Sequence, residues 1–100
     1  MALTITEEFR SEIIRALRVN ETATSIEEVI SLINAAVADL RRQGVDKIDL
    51  TDPLTAHAVK LYCKGHYGYD ESSEKFLAAY VALSAGMALD DDYDEDGDES

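Results

Sequence analysis

Three side chains in this sequence have the chemistry to bind a metal or attack a substrate: His57, Cys63 and His66. If they share one helix, Cys63 and His66 lie about 60° apart and could converge, because successive residues rotate by about 100°. His57 and His66 would point to opposite sides, about 180° apart. A zinc site needs three or four converging ligands, so this trio would need help from elsewhere. We expect no catalytic residue, metal site or cofactor, with the thiol half-buried and both histidines at the surface or in packing contacts.

The apolar residues that must position these groups recur at helical spacing, which predicts an all-α fold. We expect a small bundle of about four helices in residues 1–89. The first helix should run from about Glu7 to Arg18. Thr6 is a suitable N-cap, and Glu7 and Glu8 suit the positive end of the helix dipole.

The second helix has the clearest pattern in the sequence. Thr24 or Ser25 should cap its start, because Ser25 and Glu28 have the spacing of a capping box. Gly44 suits the left-handed residue that ends a helix. One apolar face lies between these caps, formed by Ile26, Val29, Ile30, Ile33, Ala36, Val37 and Leu40. These residues predict an amphipathic helix with one buried face.

Residues 45–51 alternate apolar and polar side chains. This pattern fits either a loop anchored by Val45, Ile48 and Leu50 or a short extended segment. A lone strand needs a partner, and the rest of the sequence offers none. An extended segment would therefore pair only within a hairpin or between subunits.

Two further helices are expected after this segment. Asp52 and Pro53 predict the start of the third, because Asp caps helices and Pro is tolerated at the first helical position. It should end near Tyr67, and its inner face should carry Leu54, Ala58, Leu61 and Tyr62. The fourth should open at Asp70 or Ser72, and its lining residues are Phe76, Leu77, Tyr80, Leu83, Ala85 and Met87.

The net charge is unevenly distributed along the chain. Residues 1–89 carry 9 basic and 13 acidic residues, a net charge of −4, while residues 90–100 carry 8 acidic residues and no basic one, a net charge of −8. Together they give the chain its net charge of −12. An acidic surface repels phosphate backbones. We therefore expect no sequence-specific nucleic-acid binding, and a basic surface on any partner whose contact is charged.

Residues 90–100 form an acidic tail that we expect to be disordered, since it has too little apolar surface to pack. It is either a solubilising appendage or a segment that orders against a basic surface.

The stretch from Phe76 to Leu89 is uncharged but shorter than the ~20 residues of a membrane-spanning helix. No targeting signal is evident at the start, and the single Cys63 fits a reducing compartment. We expect a protein made in a cytoplasm, without membrane contact.

Two other functions suggested by size and composition are disfavoured by particular residues. An acyl carrier protein is acidic and four-helical, but it needs a serine after the first long loop to carry its phosphopantetheine arm. Residues 44–50 contain no serine.

Tyrosines can stack on bases, and four of them gather near the third and fourth helices: Tyr62, Tyr67, Tyr69 and Tyr80. The acidic balance favours packing and interface contacts for them instead.

The second half of the chain resembles a known family. Residues 52–89, DPLTAHAVKLYCKGHYGYDESSEKFLAAYVALSAGMAL, are similar to the C-terminal helical pair of siphophage head–tail connector (head-completion adaptor) proteins and their prophage homologues. In that family a helix that opens with Asp-Pro and contains an AVxLYCKxxxGY-like stretch precedes a helix beginning EKFxxxY. The matching residues are Ala58, Val59, Leu61, Tyr62, Cys63, Lys64, Gly68, Tyr69, Glu74, Lys75, Phe76 and Tyr80. The likeness extends over about residues 5–89, and the longer, more acidic tail departs from it.

The resemblance implies an all-α structural protein of the virion without catalytic residues. It would assemble as a ring, of about twelve copies, beneath the portal protein at the head–tail junction. The ring would extend the DNA channel and present a surface to the next head-completion or tail protein. The implied partners are further copies of the chain, the portal protein and that downstream protein.

Three sets of residues are candidates for these contacts. A ring needs a heterologous interface, in which one face of each subunit meets a different face of its neighbour. The subunit-interface candidates are apolar residues off the main stripes: Leu32, Ala35, Leu77, Val81 and Ala88. The candidates for a partner-binding loop are Val45, Lys47, Ile48 and Leu50. The candidates for docking on a basic portal surface are Asp90, Asp91, Asp92 and Tyr93.

The main alternative is a small acidic binding protein outside the virion, such as a DNA mimic or an inhibitor of a basic enzyme. It would share the charge and the helices but remain a monomer or a dimer. Genes for a portal and a major capsid protein upstream would favour the connector hypothesis over this one.

Overall fold

A computed structural model describes residues 5–67 and 72–93 of the chain. Four α-helices make up most of this part: α1 (Glu7–Leu17), α2 (Ala23–Gln43), α3 (Pro53–Tyr67) and α4 (Ser73–Ala88). A 3₁₀ turn, Asp91–Tyr93, follows α4. The prediction of an all-α bundle of about four helices is confirmed. The turn expected at residues 68–70 and the tail expected at residues 94–100 lie outside the described part.

α1 begins and ends close to the predicted residues. The Phe9 N–H donates to Thr6 Oγ1 at 3.1 Å, which confirms Thr6 as the N-cap. The helix ends at Arg18, whose φ of 59° lies in the left-handed region. A side chain there costs about 1 kcal/mol relative to glycine. The turn is held by the Arg18 N–H, which donates to the Arg15 carbonyl at 3.1 Å.

α2 begins earlier than predicted. Its N-cap is Thr22, so the expectation that Thr24 or Ser25 caps the helix is wrong. The Ser25 N–H donates to Thr22 Oγ1 at 3.1 Å, and the Thr22 N–H donates back to Ser25 Oγ at 2.8 Å. This pair is a capping box with serine, rather than Glu28, in the returning position. Ser25 Oγ also donates to the Asn20 carbonyl at 2.7 Å, and this bond fixes the connector between α1 and α2.

The other predicted helix ends agree with the structure. Gly44 ends α2 with a φ of 109°, in the left-handed region. Asp52 caps α3, because its Oδ2 accepts from the Thr55 N–H at 3.0 Å. Ser72 is the N-cap of α4, although its side chain makes no capping hydrogen bond. Leu54 departs from the predicted inner face of α3 and is 46% exposed, since Thr55 occupies the buried position instead.

The core lies where α2 and α3 cross the other helices. α2 packs on α1, α3 and α4, and the contact between α3 and α4 is the most extensive. The largest fully buried apolar side chains of the core are Ile13, Val29, Ile33, Leu40, Val45 and Val59. α3 and α4 approach closely at Gly65, where a Cβ atom would lie 2.5 Å from Leu77 Cδ2. A glycine is therefore needed at this crossing.

A polar network joins the end of α2 to α4. Tyr80 Oη donates to Asp39 Oδ2 at 2.5 Å, and Gln43 Nε2 donates to the same oxygen at 2.7 Å. Arg42 Nη2 donates to Asp39 Oδ1. The fully buried Ser84 donates to Gln43 Oε1 at 3.0 Å. Since each of these polar side chains has a partner, the network fixes how α4 sits against α2.

The chain continues to pack after α4. The Tyr93 carbonyl accepts from the Asp46 and Lys47 N–H groups at 2.8 and 3.0 Å. Tyr93 Oη donates to Asp52 Oδ2 at 2.8 Å, and the side chain is 9% exposed. We expected an unpacked tail from Asp90 onward. Residues 90–93 instead pack, because the ring of Tyr93 supplies the apolar surface that the aspartates lack.

Candidate functional site

The side chains with reactive chemistry do not converge. Cys63 is fully buried, while His57 and His66 are exposed. Burial raises the pKa of the Cys63 thiol to about 12, so the thiolate needed for nucleophilic attack is suppressed. The His66 ring lies 4.1 Å from that of Tyr62 and packs on it. Among residues 5–67 and 72–93, no cluster of three or more His, Cys, Asp or Glu side chains could hold a metal. Surfaces rather than a reactive centre are therefore the sites to consider.

The predicted subunit-interface residues divide into two groups. Ala35 and Val81 are exposed, and Val81 is 58% exposed. Leu32 and Ala88 are half-buried against their own core, and Leu77 is also half-buried. Leu77 packs over Gly65, and a Cβ atom at Gly44 would lie 3.7 Å from that of Ala88. Of the five residues chosen because they lie off the main apolar stripe of their helix, two are therefore exposed.

α4 presents an uncharged outer face that sequence reasoning found only at Val81. The exposed residues of this face are Ala78, Ala79, Val81, Ala82, Ala85, Gly86 and Leu89. Leu89 is 88% exposed, the most of any large apolar side chain in the described part. The inner side of α4 is also largely apolar, with buried Tyr80 and Met87. A helix that is apolar on all sides is normally covered by another element. The unbroken uncharged run from Phe76 to Leu89 was the available signal for this face.

The residues of the predicted partner-binding loop differ in exposure. Residues 45–49 form a loop and not a strand. Val45 and Leu50 belong to the chain's own core, whereas Lys47 and Ile48 are half-buried. The Thr51 N–H and hydroxyl donate to Asp49 Oδ1 at 2.9 and 2.7 Å, and these bonds lower the pKa of Asp49. The loop therefore has a fixed shape, and its accessible members are the side chains of Lys47 and Ile48.

The residues predicted to dock on a portal meet this loop. Asp90 and Asp92 are exposed, and the Asp92 N–H donates to Asp90 Oδ1 at 2.9 Å. The side chain of Asp91 lies outside what the structure describes. Tyr93 faces inward and holds residues 90–93 against the loop. With exposed Asp46 and Asp49, these residues give one end of the molecule an acidic surface.

A side-chain hydrogen bond between Tyr93 and Asp52 also holds this end together. Hydrogen bonds from the Thr55 N–H and then from the Tyr93 hydroxyl lower the pKa of Asp52. Burial, together with the bond to Asp52, raises the pKa of Tyr93 to about 12. Both shifts favour the state in which a neutral phenol donates to a charged carboxylate. The link is therefore intact near neutral pH.

Comparison with protein families gives one match. A model of the family described as "Phage connector protein" matches residues 11–94, which is most of the chain. The matched residues include α1 from residue 11 onward and the whole of α2, α3, α4 and the C-terminal turn. Comparisons with curated proteins and with solved structures gave no match. None of the described helices combines the length and the apolar character needed to span a bilayer.

Proposed function

The chain belongs to the phage connector family, and from this premise we propose that it joins the portal to the tail, or to the next head-completion protein, as a ring around the DNA channel. Family membership indicates a structural role in the virion. The match over residues 11–94 is the observation that carries the proposal. It also favours a connector over an acidic inhibitor unrelated to the virion.

The surfaces described above support self-association. A ring of about twelve copies needs two different faces on each subunit. Exposed Ala35 lies on α2 and exposed Val81 on α4, so two helices each offer an uncovered apolar residue for such contacts. Leu32, Leu77 and Ala88 would contribute only the parts of their side chains that packing within their own chain leaves uncovered.

The acidic end supports docking on a basic portal surface. Asp90 and Asp92 project from residues that Tyr93 holds in place. Residues 94–100 add five acidic residues to the same end of the chain. Opposite charges across an interface speed association and fix its orientation. Ile48, beside this acidic surface, is the apolar contact that we propose for the portal or for the downstream protein.

The net charge fits a channel through which DNA moves. A chain with a net charge of −12 repels phosphates. A ring of such chains would let DNA pass without binding it, whereas a basic wall would hold the backbone. The proposed virion location at the head–tail junction rests on this argument and on the family.

Binding to the portal tests the proposal. The full chain would be mixed with a portal protein from the same genome, and the complex measured by size-exclusion chromatography with light scattering. We expect several copies to elute with each portal ring. Val81→Glu should lower the number of bound copies, while His57→Glu, on an exposed position of α3, serves as the matched control. A chain that neither binds the portal nor associates with itself would contradict the proposal.

A further inference from the structure

The outer face of α4 has a charge at each end. Lys75 lies at its start, and Asp90 and Asp92 follow Leu89, the residue that caps the C-terminal end of α4. All four side chains are exposed. Glu74 also lies at the start, but it is rotated by about 100° from Lys75 and points toward the flank that carries Val81. From its start to its end, the outer face therefore carries a basic residue, then small and apolar residues, and then acidic residues.

α2 has an exposed face with the opposite order of charges. Glu27 and Glu28 lie at its start, and Arg41 and Arg42 at its end. Between them the exposed residues are small or uncharged, namely Ser31, Asn34, Ala35 and Ala38. Within the described part of the chain, Glu27 and Lys75 form no ion pair. Both charges are therefore available to another molecule.

The two faces also match in length. Lys75 and Leu89 are 14 positions apart in the chain, and so are Glu27 and Arg41. At 1.5 Å per residue, each row is about 21 Å long. When Lys75 lies beside Glu27, Leu89 therefore lies beside Arg41, and Asp90 is one position further along the chain.

We propose that the outer face of α4 packs in parallel on the exposed face of α2 in a second copy of the chain. This inference rests on the proposed function and specifies the contact by which the ring is built. Lys75 then meets Glu27, and Asp90 and Asp92 meet Arg41 and the exposed side of Arg42, whose guanidinium also pairs with Asp39 of its own chain. An antiparallel arrangement would bring like charges together at both ends, so the charge pattern selects the parallel one.

The contact has the properties that a ring requires. It joins two different helices, so each subunit retains a free α2 face and a free α4 face for its two neighbours. Alanines and a serine at the centre allow the helix axes to approach at the lower end of the usual 8–10 Å range. Burial of Leu89, the most exposed large apolar side chain among the described residues, adds a hydrophobic contribution.

A charge exchange at one end of the contact provides the first test. Glu27→Lys and Lys75→Glu each place like charges opposite one another and should weaken self-association about three- to tenfold at low salt. The double variant restores opposite charges and should associate like the wild type. An equal mixture of the two single variants should also recover, because every contact between alternating subunits then joins one lysine and one glutamate. Sedimentation velocity and copy number on the portal measure both effects.

The same experiment separates this contact from an α4–α4 dimer. Antiparallel α4 helices would also place Lys75 near Asp90. In that dimer Glu27→Lys would have no effect, and mixing the single variants would not restore association. Either result would overturn the proposal.

Covalent capture provides the second test. In the proposed register Ala38 of one copy lies near Ala85 of the next, and both residues are exposed. The double variant Ala38→Cys, Ala85→Cys should give a ladder of disulfide-linked multimers when oxidised on the portal or at high protein concentration. Each single variant is the control, and the buried Cys63 should not interfere. A chain that still binds the portal but gives no ladder, or that gives dimers from Ala85→Cys alone, would overturn the contact while leaving the proposed function intact. Loss of portal binding and of self-association in the wild type would remove both.

Discussion

Asp52 accepts three hydrogen bonds on one carboxylate oxygen. The donors are the Thr55 N–H at 3.0 Å, the Thr55 hydroxyl at 3.1 Å and the Tyr93 hydroxyl at 2.8 Å. The first two start α3, and the third fixes the C-terminal turn. A single side chain therefore couples a helix cap to the last described residue of the chain.

Removal of the Tyr93 hydroxyl tests this coupling. We expect Tyr93→Phe to lower the free energy of unfolding by about 1 kcal/mol, because it removes a hydrogen bond to a charged, partly exposed acceptor. Urea unfolding followed by circular dichroism measures the change. Tyr67→Phe on α3 is the matched control and should have a smaller effect. Equal stability of wild type and Tyr93→Phe would mean that the bond contributes nothing.

Asp39 makes stability depend on acid pH. Burial alone would raise its pKa, but hydrogen bonds from Tyr80, Arg42 and Gln43 outweigh this effect and lower the pKa below 3.8. A lowered carboxyl pKa contributes stability above about pH 4, and the contribution is lost as the pH falls through the pKa of the folded state. Asp39→Asn should therefore lower the free energy of unfolding at neutral pH by about 1–2 kcal/mol.

The pH dependence of this variant provides a separate measurement. Stability of the wild type should fall more steeply below about pH 4 than that of Asp39→Asn, because only the wild type loses the charged acceptor. Thermal unfolding over this pH range compares the two slopes, with exposed Asp46→Asn as control. Parallel slopes for wild type and Asp39→Asn would contradict the role given to this carboxylate.

At the scale of the helices, the close approach of α3 and α4 depends on Gly65. A methyl group there would meet Leu77 Cδ2 at 2.5 Å and Cγ at 2.6 Å. Gly65→Ala should destabilise the protein by about 1–3 kcal/mol, since Leu77 must move out of its packed position. Gly86→Ala has open space around its Cβ atom and should stabilise α4 by about 0.5–1 kcal/mol. Urea unfolding at low protein concentration measures both.

A second substitution identifies the cause of the Gly65 effect. Leu77→Ala removes the two side-chain atoms that the new methyl group would meet and leaves the Leu77 backbone nitrogen, at 3.4 Å. In a double-mutant cycle the Gly65→Ala change should be less harmful in the Leu77→Ala background. Additive effects would show that the loss arises elsewhere, for example from the backbone of α3.

The helices and most of their caps could be predicted because their signals are local. Thr6, Gly44 and Asp52 act through neighbours within a few positions in the chain. Thr22 was missed because Thr22, Thr24 and Ser25 are all good caps, and the bond from Ser25 to the Asn20 carbonyl decides between them. The bonds from Tyr80 to Asp39 and from Tyr93 to Asp52 each join residues 41 positions apart. No periodic pattern reports such contacts.

The candidate surfaces could be predicted only in part for a related reason. Periodicity shows that Leu77 and Val81 lie away from the main stripe of α4. It does not show that α3, through Gly65, covers Leu77 and leaves Val81 open. In the same way, Val45 and Leu50 have the alternation of a surface loop but are covered by their own core. Which element covers an apolar residue is a property of the assembled bundle.

At the scale of the whole molecule, the C-terminal end combines an acidic surface with residues that pack on the helices. Residues 90–93 contribute both to the acidic surface and to stability, whereas residues 94–100 add five acidic residues. A chain ending at Tyr93 should keep the wild-type free energy of unfolding. A chain ending at Leu89 should lose about 1 kcal/mol or more, because the bond from Tyr93 to Asp52 is removed.

Portal binding by the same two truncated chains separates charge from packing. We expect the chain ending at Tyr93 to bind the portal more weakly than the full chain at low salt, with the difference shrinking as salt increases. The chain ending at Leu89 should bind more weakly still. Unchanged portal binding by both chains would remove the acidic end from the proposed docking surface.

The packing of Tyr93 also sets a free-energy cost for displacing residues 90–93 from the rest of the protein. A partner that binds the residues beyond Tyr93 without displacing Tyr93 leaves these hydrogen bonds intact. A partner that displaces Tyr93 must also break its hydrogen bond to Asp52 and the two hydrogen bonds that its carbonyl accepts from the Asp46 and Lys47 N–H groups. By reciprocity, whatever loosens the first turn of α3 eases that release by the same free energy. Buried Thr55, whose N–H and hydroxyl also donate to Asp52, would then affect how firmly Tyr93 is held.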